Sequence, residues 1–317
     1  GAPGWQKTDD AYLQSDLTPI AAKVAGYVRA VPVQDFQRVS AGQLVAQIVD
    51  DDYRASVAQA EAGVAAAKAQ AAALQAQAAL QAANVDAARA VVAATSANLA
   101  QNRRDLARQQ RLLAIGSSST EASEKLATTR DQLTAQLAQN RAQAEAASRQ
   151  IAVLKAQEDQ AKASEAAQEA ALQTARINLG YTRIVAPADG VLGQRQVRPG
   201  QYVATGGQIT SLIPLPRVWV IANYKETQLT HMAVGEKAEV RVDTFPGRVL
   251  HGHVQAFAPG SGAQYALLPP DNATGNFTKV VQRIAVKVAV DDADGLADRL
   301  EPGMSVEVSV DARDGRP

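Results

Sequence analysis

The sequence predicts an α+β chain of several domains, elongated in build. A long antiparallel helical hairpin is inserted into a small β domain, and a small antiparallel β-barrel follows. Three observations predict this. No proline occurs between Pro32 and Pro187, and the only glycines between Tyr53 and Leu179 are Gly63 and Gly116. Apolar or small residues recur there every seven positions. Similar short β motifs flank the stretch, and further strand-like runs broken by Pro-Gly pairs come after it.

The segment before the hairpin holds Lys23-Val24-Ala25-Gly26-Tyr27-Val28 and Val39-Ser40-Ala41-Gly42-Gln43-Leu44-Val45. The segment after it holds Asp189-Gly190-Val191-Leu192 and Val197-Arg198-Pro199-Gly200-Gln201-Tyr202-Val203. Both show a glycine before a short apolar run and then Val-x-x-Gly-Gln-x-Val, a weak internal repeat. Two such halves on either side of an insertion are expected to fold onto each other.

Between them the composition is rich in Ala, Gln, Arg and Glu, all good helix formers. Val57, Val64, Ala71, Ala78, Val85, Val92, Leu99, Leu106 and Leu113 form one row of a coiled-coil seam. Ala60, Ala67, Leu74, Ala88 and Thr95 form the second, interrupted by Gln81, Asn102 and Gln109. The returning arm shows Leu126, Leu133, Leu137, Ala144, Ile151 and Leu154, then weakens around Glu158 and Glu165 before Leu172 and Leu179. Gly116 fits a helix C-terminal cap, and Ser118 with Glu121 fits a capping box opening the next helix. One helix thus stops and another starts within a few residues, which forces an antiparallel hairpin; a single continuous helix would not need this chemistry. Arms of about 60 residues give a reach of about 90 Å.

After Val218 the strand-like runs are Val218–Ile221, Ala238–Val242, Val249–Phe257, Val280–Val290 and Met304–Val310. Pro246-Gly247, Pro259-Gly260 and Pro302-Gly303 punctuate them. Several short strands with turns suggest a small barrel. Gly260 to Lys279 has little periodicity and reads as a long loop.

Composition removes several function classes. The 317 residues carry 32 Lys+Arg against 32 Asp+Glu, a formal net charge of zero, which argues against a nucleic-acid binder. With no cysteine, disulfide scaffolds, Cys-zinc sites, iron–sulfur clusters and Cys nucleophiles are excluded. No apolar run reaches the ~18 residues of a transmembrane helix.

The order of half-motif, hairpin, half-motif and barrel resembles the HlyD-type membrane fusion proteins, the periplasmic adaptors of Gram-negative tripartite exporters. Asn178-Leu179-Gly180-Tyr181-Thr182-Arg183-Ile184-Val185-Ala186-Pro187-Ala188-Asp189-Gly190-Val191 is similar to that family's segment at the return into its lipoyl-like domain. Thr8-Asp9-Asp10-Ala11-Tyr12, Ala222-Asn223-Tyr224-Lys225-Glu226-Thr227-Gln228 and Leu267–Asn276 resemble the EmrA-like branch. The resemblance implies lipoyl-like halves at 18–52 and 180–213, a hairpin at 53–179 with its tip at 114–120, and a barrel from 8–17 and 214–313.

It also implies a periplasmic protein anchored to the inner membrane by an N-terminal helix before Gly1. Its partners would be an inner-membrane major-facilitator drug transporter, a TolC-type outer-membrane channel, and further copies of itself as a trimer or hexamer. Enzymatic activity and cofactors are not expected. An adaptor for an ABC-type (type I) secretion system is the nearest alternative, and a coiled-coil scaffold without a transport role or an acyl or biotin carrier are more distant ones. In family members that dock onto the channel, the tip carries Arg, Leu four later, and Ser seven beyond. Arg108, Leu112 and Ser119 match that spacing. Tip-to-tip docking needs an apolar anchor, a fork-shaped donor and a small hydroxyl. The same three residues also read as solvated face, seam and cap.

Other candidate chemistry is thin. Carrier domains present a modifiable Lys at the junction of their halves; here Asp50-Asp51-Asp52 stands there, where acidic residues favour a helix N-terminus. His251 and His253 lie two apart on one strand face, with no third zinc ligand nearby.

Overall fold

The computed structural model describes residues 4–214, 218–262 and 281–312. The chain divides into two compact units, Gly1–Val49 with Tyr181–Pro317, and Asp50–Gly180.

In the first unit the two β half-motifs interleave. The leading half supplies β2 (Thr18–Ala21), β3 (Gly26–Ala30), β4 (Arg38–Val39) and β5 (Leu44–Ile48). The trailing half supplies β6 (Arg183–Val185), β7 (Gly190–Leu192), β8 (Tyr202–Val203) and β9 (Gln208–Pro214). They form two four-stranded sheets, ordered β2-β9-β7-β4 and β6-β5-β3-β8, so each sheet takes two strands from each half. Neither half can complete a sheet without the other, which is why a long insertion between them is tolerated.

The halves are related by an internal pseudo-two-fold. Val28 N–H donates to Gln201 O at 2.8 Å, and Leu192 N–H to Gln37 O at 2.9 Å. Gly206 N–H donates to Ala22 O at 2.7 Å, and Gly42 N–H to Ala186 O at 2.8 Å. The core follows the same pairing: Ile20 with Ile184, Val28 with Leu192, Val33 with Val197, Val45 with Ile209 and Ile48 with Leu212, all buried. At ~1.5–3 kcal/mol for each fully buried Val, Leu or Ile, these side chains hold the sandwich together.

This pairing corrects the sequence repeat, which sets Val39–Val45 beside Val197–Val203. The counterpart of Val197–Val203 is instead Val33–Val39. Gln37 Oε1 accepts from Gln34 N–H at 2.9 Å as Gln201 Oε1 accepts from Arg198 N–H at 3.2 Å. The left-handed turn residue is Gly200 (φ 87°) in one half but Phe36 (φ 62°) in the other. The glycine that anchors the sequence match is missing from the true counterpart, so the match slides to Gly42.

The same unit contains a closed six-stranded barrel, ordered β1-β10-β13-β12-β11-β14. Its strands are β1 (Trp5–Gln14), β10 (Trp219–Lys225), β11 (Lys237–Val242), β12 (Leu250–Phe257), β13 (Arg283–Asp292) and β14 (Ser305–Asp311). Closure leaves no free edge. Leu13, Val220, Tyr224, Val240, Leu250, Val254, Val286, Val288 and Val308 fill the interior. The long connection expected after Gly260 and the Leu267–Asn276 segment fall, from residue 263 to 280, outside the described residues.

Two segments that carried the family resemblance meet here on neighbouring strands. Thr8 Oγ1 donates to Asn223 O at 2.8 Å, and Asn223 Nδ2 donates to Asp10 Oδ1 at 3.2 Å. Arg283 Nη1 reaches Asp10 Oδ2 at 2.6 Å. Gln228 Nε2 donates to Lys7 O at 3.1 Å. Burial drives the Tyr224 phenol far above its ordinary value, and its hydroxyl donates to Val308 O at 3.3 Å.

The second unit is the hairpin: α1 (Asp51–Ala114) and α2 (Thr120–Tyr181). At 64 and 62 residues, each spans about 90–95 Å. Val64, Ala71, Leu74, Val85, Leu99 and Leu106 of α1 are buried against Leu137, Leu154, Ala161 and Leu172 of α2. Polar residues of the seam, among them the interruptions Gln81 and Asn102, bridge the helices. Asn140 Nδ2 donates to Thr95 Oγ1 at 2.8 Å, and Gln81 Nε2 to Ala147 O at 2.8 Å. Asn102 Nδ2 donates to Leu126 O at 3.4 Å. Such groups fix register, because sliding one helix would leave them buried and unpaired. Glu158, where the repeat weakens, is also buried and bonds Lys162 Nζ at 2.7 Å.

Candidate functional site at the hairpin tip

The tip is built by backbone capping. Gly116 takes φ 77°, and Ser117 N–H donates to Leu112 O at 2.9 Å while Gly116 N–H donates to Leu113 O at 3.1 Å. These are the two bonds of a Schellman motif, which ends α1 sharply. The next helix opens one residue later than the Ser118–Glu121 capping box predicts. Ser119 is the cap, its Oγ accepting from Ala122 N–H at 3.2 Å. In a run of three serines, composition does not choose among them; the length of the turn does.

Arg108 and Leu112 lie one helical turn apart and so share a flank of α1. The Arg108 side chain is exposed, and its Nη1 donates to Asp105 Oδ1 at 3.1 Å. Gln101 Nε2 also donates to Asp105 Oδ1, at 3.0 Å, and Arg104 Nη2 donates to Gln101 Oε1 at 2.5 Å. Leu112 is 37% exposed; its neighbour Leu113 occupies the seam. Ser119 sits across the turn, at the head of α2, and its oxygen is committed to the cap while its proton remains available for donation.

Sequence reasoning missed Ile115. It is 74% exposed, the most exposed large apolar side chain among the described residues, and it lies directly at the turn. The signal was present in its seven-residue offset from Arg108, which puts both on one flank and off the seam. Arg103 and Arg111 add to a basic last stretch of α1, and Arg111, in the last turn, also complements the helix dipole. The tip therefore presents two apolar side chains beside a group of guanidinium forks.

The other candidate sites differ in character. Asp50 precedes α1 and Asp51 and Asp52 lie in its first turn, with Asp50 Oδ2 bonded to Arg54 Nε at 2.8 Å. His253 Nδ1 pairs with Asp291 Oδ2 at 2.7 Å, and His251 lies opposite Asp292. Among the described residues no cluster of three or more His, Asp or Glu could hold a metal ion. None of their helices is long and apolar enough to cross a membrane.

Comparison with known proteins places this arrangement. Residues 17–214 match the model of the RND membrane fusion protein barrel-sandwich hybrid domain, and residues 217–264 match a CusB-like β-barrel domain. The colistin resistance protein EmrA of Acinetobacter baumannii is 34% identical over 309 residues, covering 98% of this chain and 87% of that protein. The multidrug export protein EmrA of Escherichia coli is 30% identical over 317 residues, covering 98% and 78%. Among solved structures, MacA from Actinobacillus actinomycetemcomitans is 17% identical with a TM-score of 0.56, covering 97% of this chain and 79% of that one; this likeness concerns the fold. The interleaved sandwich, inserted hairpin and closed barrel, matched by family models and by relatives along nearly the whole chain, identify it as a member of the RND/HlyD family of membrane fusion proteins, adaptors of efflux systems, among its EmrA homologues.

Proposed function

We propose that the chain is the periplasmic adaptor of a tripartite pump. It would join an inner-membrane major-facilitator drug transporter to a TolC-type outer-membrane channel and would be held at the inner membrane by an N-terminal helix preceding Gly1. The observation that carries this reading is the exposed apolar pair Leu112 and Ile115 beside Arg108, at the end of helices spanning ~90 Å. An apolar anchor ringed by fork-shaped donors suits docking to a second protein, because a few buried anchors, arginine prominent among them, carry most of an interface's energy.

The domain division proposed for this work is lipoyl-like halves at 18–52 and 180–213, the hairpin at 53–179, and the barrel at 8–17 and 214–313. One copy cannot enclose a conduit, so the role requires self-association; the family resemblance suggests a trimer or hexamer. The named roles of the relatives, colistin resistance and multidrug export, support small toxic compounds as cargo. The function calls for no covalent chemistry.

The test is export. Leu112→Asp and Arg108→Asp are expected to abolish drug resistance in a strain that depends on this gene, with unchanged circular dichroism and melting temperature. Normal resistance in both variants would remove the tip assignment. Co-purification with an ABC transporter, and not with a major-facilitator protein, would move the chain to a type I secretion system.

A further inference from the structure

Facing side chains of α1 and α2 form a ladder along one side of the hairpin. Arg176 Nη2 meets Glu61 Oε1 at 3.2 Å, and Lys68 Nζ meets Glu169 Oε1 at 3.8 Å. Between these two rungs α1 advances one heptad while α2 steps back one heptad, so the later rungs follow from the same register. They set Gln75 opposite Lys162, Ala82 opposite Lys155, Arg89 opposite Ser148 and Ser96 opposite Arg141.

The cations of these rungs differ in their partners. Lys162 pairs with Glu158 at 2.7 Å and Lys155 with Asp159 at 3.7 Å, each along its own helix. Arg89 and Arg141 have no such acid. Glu145, one turn beyond Arg141, is held by Arg149 at 3.0 Å, and Asp86, one turn before Arg89, makes no ion pair with it. Among the described residues neither arginine side chain, nor the hydroxyl of Ser96 or Ser148, has a hydrogen bond or ion pair. Twice in succession, then, an arginine faces a serine where the ladder elsewhere offers a carboxylate.

The same four side chains line one groove of about 470 Å³, with Val92 and Ala144 of the seam also in its wall. The groove exists because the seam loosens here. Val85 and Leu99 are buried at 3%, but Val92, midway between them in the same row, is only half-buried where it meets Ala144. A methyl group leaves open the space that a larger side chain would fill.

We infer that this groove binds a phosphate-type oxyanion, which takes the place of the ladder's missing carboxylates. Arg89 and Arg141 stand on adjacent rungs, about 10 Å apart along the axis at 1.5 Å per residue, within the combined reach of two arginine side chains. Two guanidinium forks and two hydroxyls, arriving from both helices, suit a tetrahedral ion with three free oxygens better than a planar carboxylate with two. The apolar wall of Val92 and Ala144 favours a phosphate ester, its organic body lying on the seam, over the free ion. The inference rests on the hairpin alone. It is independent of the docking role of the tip, and failure of either leaves the other standing.

The test is calorimetric titration of the full chain, in phosphate-free buffer of low ionic strength, with hexyl phosphate, inorganic phosphate and hexyltrimethylammonium. One hexyl phosphate per chain is expected, with a Kd at or below ~1 mM, and no binding of the ammonium. Arg89→Gln with Arg141→Gln should weaken binding at least tenfold. Lys237→Gln with Arg241→Gln, the same loss of charge on the barrel, should leave it unchanged. Ser96→Glu with Ser148→Glu supplies the absent carboxylates; it should abolish binding and leave the melting temperature equal or higher. Tighter binding of the ester than of inorganic phosphate assigns the apolar wall to an organic body, and equal affinities assign the groove to the free ion; both retain the oxyanion site. Undiminished binding in the arginine or the glutamate variant, or no binding of either phosphate by the wild type, overturns it.

Discussion

Phe36 holds a left-handed backbone (φ 62°) with its ring 66% exposed, while its counterpart Gly200 takes φ 87° without a side chain to clash. The left-handed region costs an L-residue roughly 1–2 kcal/mol, and an exposed ring returns little of it. Phe36→Gly is therefore expected to raise stability by about 1 kcal/mol in urea denaturation, a gain that the greater chain entropy of glycine reduces. A loss of stability would show that the ring makes an unrecognised stabilising contact. Glu158 offers a second residue-scale outcome. The hydrogen bond from Lys162 holds its carboxyl below the ordinary 4.5, and Glu158 in turn raises the Lys162 ammonium above 10.5. A lowered carboxylate stabilises above its ordinary range and loses that contribution as pH falls through the lowered value; a raised ammonium loses its contribution only as pH rises through the raised value. The pair is thus fully engaged near neutrality. Melting temperatures followed from pH 7 to pH 3 should fall more steeply for the wild type than for Glu158→Gln, and parallel curves would contradict the coupling.

At the scale of the element, the turn between α1 and α2 separates two cap assignments. Gly116→Ala forces a Cβ into φ 77°, and Ser119→Ala removes the acceptor for Ala122 N–H. Each should cost the hairpin about 1 kcal/mol, whereas Ser118→Ala should leave it within a few tenths. Equal losses at Ser118 and Ser119 would restore the earlier capping box. Strand β1, assigned to the barrel by the family resemblance and not by its own pattern, shows why periodicity fails on some strands. Its buried residues are Thr8, Ala11 and Leu13, because a bulge at Asp9 and Asp10 shifts the register against β14. Simple alternation is broken by the feature that lets Asp10 reach Arg283. Strands β4, β7 and β8 are two or three residues long, too short to show any period.

At the scale of the molecule, docking at the tip and self-association separate by experiment. Ile115→Asp is expected to abolish drug resistance in a strain that depends on this gene, without altering self-association by sedimentation. Loss of both properties in the tip variant would mean that the tip also holds copies together. The exposed Leu112 and the seam residue Leu113 are adjacent in sequence, yet they serve a candidate interface and the coiled coil respectively.

The hairpin was determined by the sequence alone. Its seven-residue period, its lack of proline and the capping chemistry at Gly116 are local or periodic properties, and they prescribe helix, seam and turn without knowledge of anything distant. The meeting of two β halves was likewise legible in outline. Only the tertiary structure decided their true correspondence, the register of β1 within the barrel and the choice of Ser119 as cap. Those features depend on contacts between residues a hundred or more positions apart, or on a turn's exact length, where a single residue's shift moves every side chain beyond it to a different face.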